Sequence, residues 1–416
     1  MGVTMTASAP PAAAPRPAPP PNRPTVRELR LVAFKSHLGT RLPLAPVTVL
    51  HGASGAGASN VLDGLAALSG LAGGGELAEA LSGVRGGLAG CVPHGGRGFR
   101  LGCTVGTPQG AVRLEVAVRT DGRPRVVAEQ LALDGQVLLS TGAEDQARGR
   151  INASWHSDGR QGDIRAPLSA SALLTAQLPL RVAGATPGEQ RVLVAVQHLL
   201  TALREVFLID PAPGQMRDWV SAADDARLRS SADNLSAVLA RIEGECRIRY
   251  GRLLQAVRAA APFPAAGLGV LRAAAGDGRV LAAVDEGTGR CTSAALLGAG
   301  TLRHLAFATV LLTGPGVLQM GSATEVPDAE RLLTVLAEDF DQRLLPLAVE
   351  VVARGHVRLL ATGREPADVP GVLNVHCRRD PATGVSVLEG SVLEGGALEG
   401  GVLEGGVPGS GAGSGQ

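Results

Sequence analysis

The chain has 416 residues, 45% of them apolar and only 19% charged, which supplies enough apolar side chain for a large buried core and excludes global disorder. Lys plus Arg number 39 against 38 Asp plus Glu, a formal charge of +1, so the overall balance draws the chain neither to nucleic acid nor to an anionic membrane; a polyanion would have to meet a local patch. Aromatic residues are 2% of the chain, too few for a base-stacking platform, and Lys35 is its single lysine, every other cationic side chain being arginine.

Residues 1–24 are dominated by Pro and Ala, which fix extended backbone and remove hydrogen-bond donors, and they predict a disordered lead. ELRLVAF (28–34) and the short β-branched run PVTVLH (46–51) predict strands, the second one buried. A glycine-rich turn follows, then apolar residues at 61, 62, 65, 68 and 71 that mark one face of a helix. From 98 to 155 short alternating runs between Gly, Asp and Pro turns predict an antiparallel β insert. Helical stripes occupy 191–206 and 234–259. Further on, the pattern predicts a strand at 279–285, a helix at 301–312, a strand at 316–320, a long helix at 328–354 and a strand at 357–361. Alternating strands and helices imply an α/β sheet with crossover connections.

The VLEG and ALEG units that begin at 387 recur every five residues, matching neither helical nor strand periodicity, and predict a flexible acidic tail. The chain thus divides into a disordered lead (1–24), a glycine-loop and antiparallel β part (25–165), a helical lobe (166–275), a C-terminal part of the same domain (276–384) and a disordered tail (385–416), with both ends dispensable for folding. Five scattered cysteines without a CxxC pair, no secretory leader and no long apolar run predict a reduced, cytoplasmic protein that does not enter a membrane.

GASGAGAS (52–59) carries the chemistry. Against G-x-x-x-x-G-K-[ST] it places Gly52, Gly57 and Ser59 and puts Ala58 where the lysine belongs. Such a turn lets backbone N–H groups, those of Gly55, Gly57, Ala58, Ser59 and Asn60 among them, converge on phosphate oxygens at a helix N-terminus, and the Ser59 hydroxyl is a candidate magnesium ligand. The ammonium that would hold the β and γ phosphates is missing.

Three stretches in order resemble the RecF/SMC-like branch of the ABC-type AAA family ATPases. The first, 28–68, has Phe34, Lys35, Ser36, Gly52, Gly57, Ser59, Asn60 and Leu62 where that family's pattern has them. The second, 209–242, matches its helical-lobe segment at Asp210, Pro211, Pro213, Arg217, Asn234 and Leu235. The third, 295–330, is similar to its signature and Walker B region. The resemblance implies a P-loop NTPase fold of the ABC/RecF-like type, with an antiparallel β insert and a helical lobe, that takes ATP and Mg2+ and works as a homodimer or with an intact ATPase partner.

The same frame implies degenerate motifs. Gly298 and Ala299 precede Gly300-Thr301 where the signature serine and acid belong, Gly321 and Ser322 stand at the Walker B pair, and Gly363 replaces a switch histidine after Thr362. Arg303 and Arg41 are candidate substitutes for the lost lysine. Asp210, ending VFLID, is read as a strand-end turn, Glu325 as the N-terminal charge of the long helix, and Asp285-Glu286 as a turn; His51, His304 and His356 are read as packing or surface residues. No catalytic residue is assigned. Three functions stay open: a nucleotide-responsive pseudo-ATPase that binds or regulates, an ATPase completed by a partner, and a structural partner that no longer binds nucleotide.

Overall fold

A strand covered on both faces must be apolar at successive positions, and three runs in this chain satisfy that condition: VTVLH, LTVLA and VRLLATG. In the computed structural model, which describes residues 23–402 apart from 159–161, 224–226, 246, 261–264, 275–276, 288, 321–330 and 395–396, these runs lie side by side in the parallel part of a large mixed sheet.

Strands β1 (Thr25–Phe34), β2 (His37–Pro43) and β3 (Val47–His51) lead into α1 (Ala58–Ala72) and the single turns α2 (Leu77–Ala80) and α3 (Gly87–Gly90). Antiparallel strands β4 (Gly98–Thr107), β5 (Gly110–Arg119), β6 (Arg125–Leu133), β7 (Gln136–Asp145), β8 (Arg150–Trp155) and β9 (Ile164–Ser169) follow, then the short α4 (Leu174–Gln177), α5 (Pro187–Arg204) and β10 (Val206–Ile209). A separate small sheet contains β11 (Val220–Ser221), β12 (Gly267–Arg272), β13 (Arg279–Asp285) and β14 (Cys291–Ser293), with α6 (Leu235–Glu245) against it and α7 (Arg247–Ala260) packed on α6. Helix α8 (Ala299–Thr313), β15 (Leu333–Ala337), α9 (Leu345–Ala353), β16 (Val357–Gly363), β17 (Leu373–Arg379), β18 (Ser386–Glu394) and β19 (Ala397–Val402) complete the order.

The main sheet runs β10-β15-β16-β3-β17-β18-β2-β1-β4-β5-β6-β7-β8-β9, with β19 on β18. Its β10 to β17 part is parallel. Successive residues there serve opposite layers: Leu50, Leu336 and Leu360 join Leu62, Leu65 and Leu68 of α1, whereas Val47, Val49, Val335 and Leu359 face the core that contains α8 and α9. The antiparallel half has one core face, to which α5 contributes Val192, Val196, Leu199 and Leu203. The start of α5 is written in TPGE: Thr186 accepts from the Glu189 amide at 3.2 Å while Glu189 accepts from the Thr186 amide at 3.1 Å. Glu129 of β6, buried without a cation, accepts from the Leu174 and Thr175 amides at 2.7 and 2.6 Å, and burial pushes its carboxyl up to about 7 against those bonds.

The α/β class, the antiparallel insert and the helical lobe match the sequence reading, with four corrections. The expected helix 328–354 is not one helix: among its described residues Leu333–Ala337 is a strand of the main sheet and only Leu345–Ala353 is α-helical. A continuous apolar run fits a buried strand as well as a buried helix, and periodicity does not separate them. The strand expected at 316–320 is instead a short 3-10 turn at Pro315–Val317 and an isolated bridge at Leu318. The stripe at 234–259 is divided between α6 and α7, and α5 belongs to the main sheet rather than to the lobe. Lastly, the body continues past 384: Ser386–Glu394 pairs with the whole of β17, and Leu388 is buried. Among the described residues no helix is long and apolar enough to cross a membrane.

Deleting residues 385–416 therefore strips β17 of its antiparallel partner and exposes the surface that Leu388 covers, a loss of at least about 2 kcal/mol. The thermal midpoint should fall by several degrees, whereas deleting only 403–416 should leave it in place; equal midpoints for the two truncations would contradict the docking of β18.

Candidate functional site

The turn between β3 and α1 has to reverse the chain between a buried strand and a buried helix. Gly55 and Gly57 make this possible with φ of 81° and 105°, values that side-chain-bearing residues rarely adopt. Space imposes the same choice at Gly57, where a Cβ would stand 2.2 Å from Ser386 Oγ and 2.9 Å from Ser36 Oγ. A chain of hydrogen bonds then fixes the loop from below. Asn60 Nδ2 donates to Ser36 Oγ at 2.8 Å, Ser36 and Ser386 hydroxyls share a bond of 2.7 Å, and Ser386 donates to the Ala56 carbonyl at 2.6 Å. From the other side, buried His37 reaches the Gly57 carbonyl through Nε2 at 3.0 Å and Thr40 through Nδ1 at 3.2 Å. Burial lowers the His37 pKa against the pull of the Gly57 bond, which suits a neutral ring that donates at one nitrogen and accepts at the other.

The upper side of the loop is polar and open. The amides of Gly55, Gly57, Ala58 and Ser59 meet no acceptor among the described residues, and they sit where the dipole of the 15-residue α1 concentrates positive potential. Two adjacent parallel strands, β16 and β15, bring a second element to this place. Glu338, the residue after β15, accepts a short hydrogen bond from the Ser59 hydroxyl. Arg85 stands beside it, with Nη1 3.5 Å from Glu338 Oε1 and Nη2 2.8 Å from Asp63 Oδ2. Burial raises the Glu338 carboxyl above its ordinary value, while Ser59 and Arg85 pull it down and Asp210 and Asp63 push it up. Asp210, after β10, therefore belongs to the field of this site although it makes no bond to Glu338 among the described residues.

Lys35 does not serve the loop. Its Nζ lies 2.7 Å from Asp63 Oδ2 and 2.8 Å from the Arg85 carbonyl, so the chain's one ammonium is consumed in holding the Arg85 segment to α1. The result is a relay in which Lys35 and Arg85 flank buried Asp63 and Arg85 extends to Glu338.

Of the residues expected in the nucleotide site, Gly52, Gly55, Gly57, Ala58, Ser59 and Asn60 meet in this turn. The stretch Gly298–Thr301 forms the start of α8, with Gly298 as its N-cap. Gly300 lines a separate cavity of about 370 Å³ with Arg303 and Asp339, whose side chains pair at 3.0 Å. Gly321, Ser322 and Glu325 lie outside the described residues, and the acidic pair that follows a central strand is Glu338-Asp339. Gly363 ends β16 beside Thr362, whose hydroxyl accepts from the Asp339 amide at 2.9 Å. Arg41 lies on β2 and lines another cavity, away from the loop. The sequence reading missed Glu338, Arg85, Asp63, His37 and Ser386. The run LTVLAED held a signal for the first of them, an apolar run ending in two acids, once it is taken as a strand.

No family model matches the chain, and no curated protein matches it. Among solved structures it is similar to an SMC head bound to the C-winged helix domain of ScpA, at 14% identity over 89% of this chain and 98% of that one, with a TM-score of 0.45. It is also similar to the SMC head domain from Thermotoga maritima, at 11% identity over 88% and 98% with a TM-score of 0.41. A third is the recombination mediator protein RecF-ATPrS of the RecFOR pathway, at 9% identity over 88% and 98% with a TM-score of 0.39. These are the two groups of proteins that the three sequence stretches resemble.

The relay sets an order of stabilities. Asp63→Asn leaves the Lys35 ammonium, 11% exposed, without its counter-charge and should cost about 3 kcal/mol or more in urea unfolding. Arg85→Ala removes a side chain that is 51% exposed and should cost within about 1 kcal/mol. The reverse order would contradict the role given to Asp63.

Proposed function

We propose that this chain binds a nucleoside triphosphate, with its phosphates over the Gly52–Asn60 loop, and acts as a nucleotide-responsive binding or regulatory protein rather than as an efficient ATPase. The observation that carries this reading is the meeting of Ser59 and Glu338 beside a set of unpaired loop amides: backbone donors for phosphate oxygens, and a hydroxyl and a carboxylate of the kind that hold magnesium, converge where a parallel strand ends and a helix begins. Bound Mg2+ would neutralise phosphate charge there, and Ser59 and Glu338 are the residues that would hold it.

Ala58 supplies no charge to the phosphates. Arg85, whose half-exposed guanidinium stands at Glu338, is the cation nearest to that role, but its Nη2 is engaged by Asp63. Weak binding and slow turnover follow, because the ammonium that would stabilise developing charge is absent. One observation favours a second reading, an ATPase completed by a partner subunit: the acid beside Ser59, expected to be missing, is present as Glu338. A chain that no longer binds nucleotide is the third.

Ala58→Lys should strengthen MgATP binding at least about tenfold in a thermal-shift titration, since a charge-assisted bond to phosphate is among the strong ones. Phosphate release by the purified native chain should stay at background. Robust release that Glu338→Gln abolishes would establish the second reading. Absence of any ATP shift in both the native chain and Ala58→Lys would leave the third.

A further inference from the structure

On the solvent side of the antiparallel half, cross-strand register assembles one polar row: Arg41 of β2 faces Arg30 of β1, which faces Gly102 of β4, then Glu115 of β5, Gln130 of β6 and Ser140 of β7. Residues directly opposite each other share a face of the sheet, so this register gives a continuous strip. Gly102 has no side chain, and Ala117 and Ala128 beside it are small, so the strip sinks into an open trough of about 750 Å³. Its charges are unevenly paired. Glu115 accepts from Arg30 Nε at 2.5 Å and from Arg113 Nη2 at 3.0 Å, and Arg30 also bonds Glu28. Arg41 and Arg100, both exposed on the rim, meet no carboxylate and no hydrogen-bond acceptor among the described residues.

We propose that this trough is a docking surface for an extended acidic peptide of a partner protein, with carboxylates on Arg41 and Arg100. The Cα positions of Arg41 and Arg100 are two strand spacings apart across the sheet and two residues apart along it, about 12 Å in all. In an extended chain, side chains at positions i and i+4 point the same way and lie about 13 Å apart. A carboxylate pair at that spacing reaches both forks across Arg30 and Val32 of β1, and the floor of Gly102, Ala117 and Ala128 leaves room for the backbone to continue past Arg100. Of the two acids in the lining, Glu115 is neutralised by Arg30 and Arg113 and Glu129 is held by the Leu174 and Thr175 amides, so no carboxylate has to be displaced from Arg41 or Arg100. Two unpaired charges and no aromatic side chain make a short footprint, suited to a few carboxylates rather than to the long phosphate track that a nucleic-acid backbone presents.

Fluorescence anisotropy of a fluorescein-labelled decaglutamate with the full chain at low salt tests the assignment. The expected result is saturable binding that weakens with salt and falls at least about tenfold in the Arg41→Ala/Arg100→Ala variant, at an unchanged thermal midpoint, because both side chains are exposed and unpaired. No binding, or equal affinity for the variant, would overturn it. Tighter binding of a labelled single-stranded DNA decamer, lost in the same variant, would also overturn it and make the trough a nucleic-acid surface.

Discussion

The hydroxyl of Ser59 and the carboxylate of Glu338 belong to elements 279 positions apart in the chain, and the bond between them depends on the parallel register of β3, β16 and β15. A shift of one residue in any of these strands would turn its buried side chains to the opposite layer, removing Leu50 from the α1 core and Val49 from the other. The cores on both faces therefore hold the two halves of the site in place. In the same way α1 begins where it does because the β3 turn uses glycine at 55 and 57, and because Ser36, His37 and Ser386 occupy the space beneath.

Charge at this place is conserved within the fold rather than offered to solvent. Lys35 and Asp63 neutralise each other under the surface, and what reaches the open side is the half-exposed Arg85 guanidinium and the Glu338 carboxyl, whose pKa burial raises. Removing one member of a buried pair costs more than the pair contributes, so Lys35 is not available as a mobile phosphate ligand. The absence of a side-chain ammonium at Ala58 is accordingly not compensated by Lys35, the chain's single lysine, and the reading of a weak nucleotide site rests on this.

Much of the arrangement was legible in the residues. VTVLH followed by GASGAGAS and an apolar stripe announces strand, loop and helix, and the stripe at 191–206 announces α5, although its true start, set by TPGE at 186–189, went unread. Elsewhere local pattern was silent or misleading. LTVLAED was absorbed into a helix because buried strands lack alternation, and with it went the acid that faces Ser59. Arg85 and Asp63 give no periodic signal, since their meaning lies in contacts made by a short loop segment with α1. Ser386 was assigned to a tail on the strength of the repeat that follows it, although the repeat's first unit supplies Leu388 to the core. His37 lies between the two strands read from the sequence and drew no reading there; only the tertiary position of Gly57 shows what it holds.

Hydrogen–deuterium exchange of the full chain, with and without MgATP, addresses the central claim most directly, because the amides of Gly55, Gly57, Ala58 and Ser59 lack protein acceptors among the described residues and would gain them from phosphate oxygens. The account predicts slowed exchange confined chiefly to peptides covering 52–60 and the residues after β15, with the effect enlarged in Ala58→Lys. Protection elsewhere on the chain with the loop unchanged, in both proteins, would contradict it.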